Sequence, residues 1–230
     1  MDFEFTSAHV FAAITCVFAT VFILCRVNKS IMRSLVFKTL SGLGFVATGL
    51  IAMYISNKHS PYALLCVFGL VFGLIGDVFM QFKYCDRANY RTFLVMGMAF
   101  FGLGHFFYFA ALYTISTFSF YPFIGALVMT IVAFIAFRTK RFEKIGKLKF
   151  VGCTYYFFLS VILFQSIFAY VYHESMQTLF FLVGASFFFV SDTVLSFIYF
   201  GGANRRRFTV LNLTTYYIAQ LAIALSILYI

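Results

Sequence analysis

Acidic side chains are rare in this chain. Only 7 of its 230 residues are Asp or Glu, charged residues of both signs make up 10%, there is no tryptophan, and proline occurs twice. A soluble domain carries about 25% charged residues, so the shortage excludes an ordinary water-facing surface. The two prolines, Pro61 and Pro122, fall at the starts of apolar runs, which excludes helices broken in their middles. The five cysteines stand singly, with no C-x-x-C pair and no Cys/His spacing for zinc, and read as small packing residues. No low-complexity linker or long polar segment separates off a soluble domain.

What is abundant is apolar and aromatic. Hydrophobic residues reach 63%, phenylalanine occurs 36 times, and mean hydropathy is +0.97. Apolar windows of about 20 residues recur along the whole chain, the length that crosses a bilayer as a helix. They predict an all-α, polytopic membrane protein: one domain over 1–230, a bundle of eight transmembrane helices near 8–26, 35–56, 61–83, 91–114, 118–137, 148–171, 176–200 and 207–229.

The formal charge of +10 does not mark a nucleic-acid binder, because the basic residues sit between spans rather than on one folded face. Arg26, Lys29, Arg33 and Lys38 flank the first connection; Lys83, Arg87 and Arg91 the third; Arg138, Lys140, Arg141, Lys144, Lys147 and Lys149 the fifth; Arg205, Arg206 and Arg207 the seventh. Only Lys58 of the 17 lies on the opposite side. By the positive-inside rule these connections are cytosolic, and both termini are lumenal or extracellular. The acidic start, with Asp2 and Glu4, lacks the basic leader of a secretory signal, so the first run reads as a retained helix. The sequons at Asn28 and Asn212 then fall in a cytosolic connection and inside a span, where neither is glycosylated. With no sorting signal, the endoplasmic reticulum is the default membrane.

Against this background two carboxylates stand out. Asp77, in Ile75-Gly76-Asp77-Val78-Phe79, and Asp192, in Val190-Ser191-Asp192-Thr193-Val194, are the only acids inside predicted spans. An ionisable side chain there costs about 2.5 to 3.5 kcal/mol on insertion scales and marks function or a buried pairing. Each lies about 9 to 12 Å from the cytosolic helix end at 1.5 Å per residue, so the two share a depth and are predicted to meet. Gly69, Gly73 and Asp77 follow at four-residue spacing, which puts the third-span acid on a small-residue face made for close packing. Gly184, Asp192 and Ser196 form a looser stripe on the seventh span.

Asn212, Tyr216 and Gln220 repeat that spacing on the last span, while His105 and Tyr108 lie mid-depth in the fourth. Lys38 sits near the cytosolic end of the second, one turn before Ser41 and Gly42. Each has a plainer reading: Lys38 snorkelling to the interface, His105 packing between helices, the Asn212 row acting as interhelical glue. For the aspartates the plainer reading is a pair that only fixes packing.

Five of these segments, in order, resemble the lysoplasmalogenase (YhhN-like) family of eight-helix membrane hydrolases. They are Lys38, Gly76-Asp77-Val78-Phe79-Met80, Gly104-His105-Phe106-Phe107-Tyr108, Ser191-Asp192-Thr193-Val194-Leu195 and Thr215-Tyr216-Tyr217-Ile218-Ala219-Gln220. Thr39-Leu40-Ser41 departs from the prolines usual after the family's lysine. The resemblance implies hydrolysis of the vinyl ether of a lysophospholipid substrate, lysoplasmalogen, to a fatty aldehyde and glycerophosphoethanolamine or glycerophosphocholine. Asp77 and Asp192 would be catalytic, one supplying a proton and one stabilising the cation, without a metal or other cofactor. Lys38 would hold the phosphate near the cytosolic leaflet, with His105, Tyr108, Asn212, Tyr216 and Gln220 orienting water and glycerol oxygens. A proton-coupled transporter using the same buried acids is the alternative.

Overall fold

The computed structural model describes residues 6–56, 60–138, 148–199 and 206–230. Lys58, Lys140, Arg141, Lys144, Lys147 and Arg205, together with Asp2 and Glu4, lie outside the described residues. Most of the described residues are helical: α1 Ser7–Val27, α2 Ile31–Ile55, α3 Pro61–Cys85, α4 Tyr90–Ile115, α5 Tyr121–Phe137, α6 Leu148–Tyr172, α7 Met176–Tyr199 and α8 Arg206–Ser226, the last closed by a short 3-10 turn at Ile227–Tyr229.

Helices are what apolar runs of this length must form where no water satisfies the backbone, since all their N–H and C=O groups then pair internally. Local signals set the ends. Pro61 and Pro122 occupy first-turn positions of α3 and α5, where a missing N–H costs nothing. Ser60 caps α3 by accepting from the Tyr62 amide at 3.2 Å.

Among the described residues seven helices are long and apolar enough to cross a membrane, and the chain is an integral membrane protein. The expected eighth span differs: α5 begins at Tyr121 rather than near residue 118 and has 17 residues, with its apolar stretch shorter than the others. Proline at its start fixes where the helix begins, and Ser116 to Phe120 stay outside it. In the other direction, α2 starts at Ile31 and α3 runs on to Cys85, so Lys83 belongs to a helix and not to a loop. It is fully buried, its Nζ 3.7 Å from Met80 Sδ and stacked over the Tyr84 and Tyr90 rings at 5.0 and 5.9 Å.

Close helix contacts use small residues, as they must where lipid tails and leucine are equally apolar. Along the α3–α4 seam, Gly104 stands over the Gly69 carbonyl, and a Cβ there would lie 3.0 Å from that oxygen. A Cβ on Gly69 would enter the Tyr108 ring, and one on Gly73 would meet Gln220 Nε2 at 2.6 Å. The glycine face ahead of Asp77 is therefore a seat for Tyr108 and Gln220. On the other side, Gly184 of α7 lets the Ala219 carbonyl of α8 approach, and α7 and α8 pack along their length. The core beneath is aliphatic and aromatic, with Phe45, Leu70, Leu112, Phe181 and Ile223 buried. Many large apolar side chains, such as Met32, Phe106 and Ile135, point outward toward lipid.

Candidate active site

Asp77 is presented by α3 at the end of its glycine face, buried to 2% exposure. Its Oδ1 lies 2.9 Å from Nζ of Lys38, which reaches in from α2 across the Phe22 ring. Lys38 is itself only 7% exposed, so it does not snorkel to an interface. A buried ammonium and carboxylate at this distance match each other's charge, and removing either strands the other. Among the described residues the other oxygen, Asp77 Oδ2, has no hydrogen-bond partner, and neither has Nε2 of Gln81 one turn further along α3. The Tyr216 hydroxyl faces the same carboxyl at a geometry short of a hydrogen bond.

Asp192 belongs to a different set of partners. The Tyr155 hydroxyl, from α6, donates to its Oδ2 in a short contact. His105 Nε2 stands 3.2 Å from that hydroxyl and 3.7 Å from Asp192 Oδ2, its ring held edge-on by Phe188 at 4.7 Å. Asp192, Tyr155 and His105 thus form one polar cluster from α7, α6 and α4. Beside it, Asn212 Nδ2 donates to the Ser191 carbonyl at 2.8 Å and to Ser191 Oγ at 2.9 Å, while Ser191 Oγ donates to the Asn212 carbonyl at 3.1 Å. That reciprocal pair locks α8 to α7 at the residue preceding the acid.

The row on α8 continues as a relay. Tyr108 OH donates to Gln220 Oε1 at 2.6 Å and Gln220 Nε2 donates to Tyr216 OH at 2.9 Å. Tyr108 and Gln220 stand behind Tyr216 and fix the direction of its hydroxyl.

Both aspartates open onto one cavity of about 310 Å³, whose polar wall is Lys38, Asp77, Gln81, Asp192, Asn212 and Tyr216 and whose apolar wall includes Phe22, Phe101 and Leu195. A smaller, largely apolar cavity of about 60 Å³ adjoins it, sharing Asp192, Met80, Phe101 and Leu195 and adding Leu94, Met98 and Tyr156. At the other end, Arg26, Tyr84 and Thr209 are shared with a basic vestibule of about 590 Å³ that also carries Lys29, Arg87 and Arg206. Among the described residues no three His, Cys, Asp or Glu side chains converge as a metal site would require.

The sequence-predicted residues therefore separate into two layers. Lys38, Asp77, Asp192, Asn212 and Tyr216 line the cavity. His105, Tyr108 and Gln220 lie behind it and hold those that do. The two acids face the same space, yet each is tied to its own partner rather than to the other, because α3 and α7 pack against α4 and α8 more than against each other. Sequence reading missed Tyr155, Gln81 and Arg26. Tyr155 is one of 15 tyrosines and no spacing distinguishes it, whereas Gln81 stands out in an apolar span four residues after the acid.

No match is found among curated proteins or among solved structures. The family comparison is positive: residues 32–227 match the YhhN family, a stretch that begins just inside α2 and ends just beyond α8. Lys38, Asp77, Gln81, Asp192, Asn212 and Tyr216 all fall within it, and on that match the chain belongs to the YhhN family, the family to which lysoplasmalogenases belong.

Proposed function

We propose that the protein hydrolyses the vinyl ether bond of lysoplasmalogens, releasing a fatty aldehyde and a glycerophospho head group. The observation that carries this reading is the pair of buried aspartates on one cavity, differently partnered. A vinyl ether yields to acid: a proton added at its β-carbon gives an oxocarbenium ion, water adds to that ion, and the resulting hemiacetal collapses to aldehyde and alcohol. The chemistry needs one group that donates a proton and one negative charge beside the cation.

Asp192 is the proton donor. Its Oδ2 accepts from Tyr155, no hydrogen bond among the described residues reaches Oδ1, and the residue lines the cavity. Asp77 is the carboxylate, its charge balanced by Lys38, placed to steady the cation. Asp192, left ionised once its proton has gone to carbon, takes a proton back from the attacking water, so none is consumed overall.

With Lys38 engaged by Asp77, the substrate phosphate belongs in the vestibule beside Arg26, Lys29, Arg87 and Arg206, where guanidinium groups match its geometry. The apolar walls around Phe101, Leu94 and Met98 receive the start of the alkenyl chain. This orientation sets the site near the cytosolic leaflet, in keeping with the basic mouth. The endoplasmic reticulum is the proposed membrane.

Purified protein incubated with an alkenyl lysolipid and with its ester-linked counterpart is the direct test. Aldehyde from the alkenyl lipid alone, abolished in Asp77→Asn and Asp192→Asn proteins that remain folded, is the expected result. Proton-driven solute uptake into vesicles with no aldehyde formed would instead establish a transporter.

A further inference from the structure

Much of the cavity's polar wall is paired within the bundle. Lys38 is bonded to Asp77 Oδ1, Asp192 Oδ2 to Tyr155, Asn212 to Ser191, and Tyr216 to Gln220. Of the fully buried polar atoms on residues that line the cavity, two have no partner among the described residues, Asp77 Oδ2 and Gln81 Nε2, both on residues no more than 2% exposed. A buried polar atom without a partner costs about 1–3 kcal/mol, so a matched pair of them on one helix face points to something that binds there. Their residues are four apart on α3, about 6 Å along the axis, which puts both side chains on the same face.

Their chemistry is complementary: a carboxylate oxygen only accepts, an amide nitrogen only donates. A phosphate, ether or ester oxygen satisfies the amide and is repelled by the carboxylate, and an ammonium does the reverse. A hydroxyl satisfies both at a single oxygen. In a lysolipid the hydroxyl nearest the vinyl ether is the free one on the middle glycerol carbon.

We propose that Gln81 and Asp77 Oδ2 together bind this free hydroxyl, which makes Gln81 a determinant of specificity for lysolipids over lipids acylated at that carbon. The inference rests on the proposed lysolipid reading and names the atoms that read the substrate's missing acyl chain. Acylation removes the donor that Asp77 Oδ2 needs and sets an acceptor against it. A site built to bond a hydroxyl discriminates strongly against analogues that lack it.

The test uses two pairs of lipids in detergent-purified full-length protein. The first pair is the alkenyl lysolipid and its 2-deoxy analogue, compared by kcat/KM for aldehyde release. The second is the saturated 1-O-alkyl lysolipid, which the enzyme cannot cleave, and its 2-deoxy form, compared by calorimetric titration. Wild-type protein is expected to prefer the hydroxyl-bearing member about 10- to 100-fold in both, and Gln81→Met to reduce that preference to within about threefold. Gln81→Asn, which keeps the amide but shortens its reach, serves where Gln81→Met does not fold. Equal binding of both lipids by wild type overturns the inference, as does an unchanged preference in the variants. A loss of turnover by the same factor on both alkenyl lipids also overturns it, since the pair would then be holding water. Hydroxyl-selective binding with no aldehyde from any substrate leaves this inference standing and removes the hydrolase reading.

Discussion

At the scale of single residues, the Lys38–Asp77 contact has the sharpest consequence. Both groups are buried, so replacing Lys38 by Met leaves a carboxylate without its counter-charge and is expected to destabilise the protein by about 3–5 kcal/mol. The double change Lys38→Met with Asp77→Leu removes both charges and should recover most of that loss, as read by thermal unfolding in detergent. A double variant no more stable than the single one would show that the pair does not match charges. On the other acid, Tyr155→Phe keeps the ring against His105 but deletes the hydroxyl on Asp192. Aldehyde release is expected to fall about 10- to 100-fold with little change in melting, whereas Asp192→Asn should cost about 100- to 10,000-fold. Wild-type turnover in Tyr155→Phe would exclude Tyr155 from orienting the acid.

At the scale of elements, the glycines decide how near α3 can come to its neighbours. A methyl at Gly69 runs into the Tyr108 ring, whose hydroxyl begins the relay to Tyr216, so Gly69→Ala should both lower stability by about 1–3 kcal/mol and reduce turnover. Gly102, in α4, has nothing within 4 Å of a Cβ, and Gly102→Ala should be neutral or slightly stabilising through helix propensity alone. Comparing the two melting temperatures separates a packing constraint from a general intolerance of alanine. Helix positions of the motif residues were legible from apolar run length and from the two prolines. The ends were not: α2 and α3 extend past their apolar windows because polar side chains there remain helical at an interface or inside the bundle, as Lys83 does.

At the scale of the whole molecule, charge is arranged around one opening. Arg26 comes from the last turn of α1, Lys29 from the α1–α2 turn, Arg87 from the α3–α4 turn and Arg206 from the start of α8, and they surround a vestibule continuous with the cavity. Under the proposed reaction, the double change Arg87→Gln with Arg206→Gln should raise KM for a phosphate-bearing lysolipid severalfold and leave kcat near wild type, with the effect shrinking as ionic strength rises. An unchanged KM at low salt would place the head group elsewhere. The same basic distribution predicts that tags on either terminus are protected from cytosolic protease and that Asn28 carries no glycan. A glycan on Asn28 would invert the orientation.

The sequence by itself determined the membrane-embedded helical bundle, because apolar runs of this length have no other low-energy state in hydrocarbon. It also singled out Asp77 and Asp192, because ionisable groups inside such runs are too costly to be incidental. Only the tertiary structure decided their partners. Lys38, Tyr155 and His105 come from α2, α6 and α4, and nothing in chain order says which helix lies against which acid. Helix periodicity fixes the face a side chain occupies on its own helix, whereas the neighbour across that face is chosen by packing of the bundle as a whole. That choice separates two aspartates predicted to meet into one paired with a lysine and one bonded to a tyrosine on the same cavity.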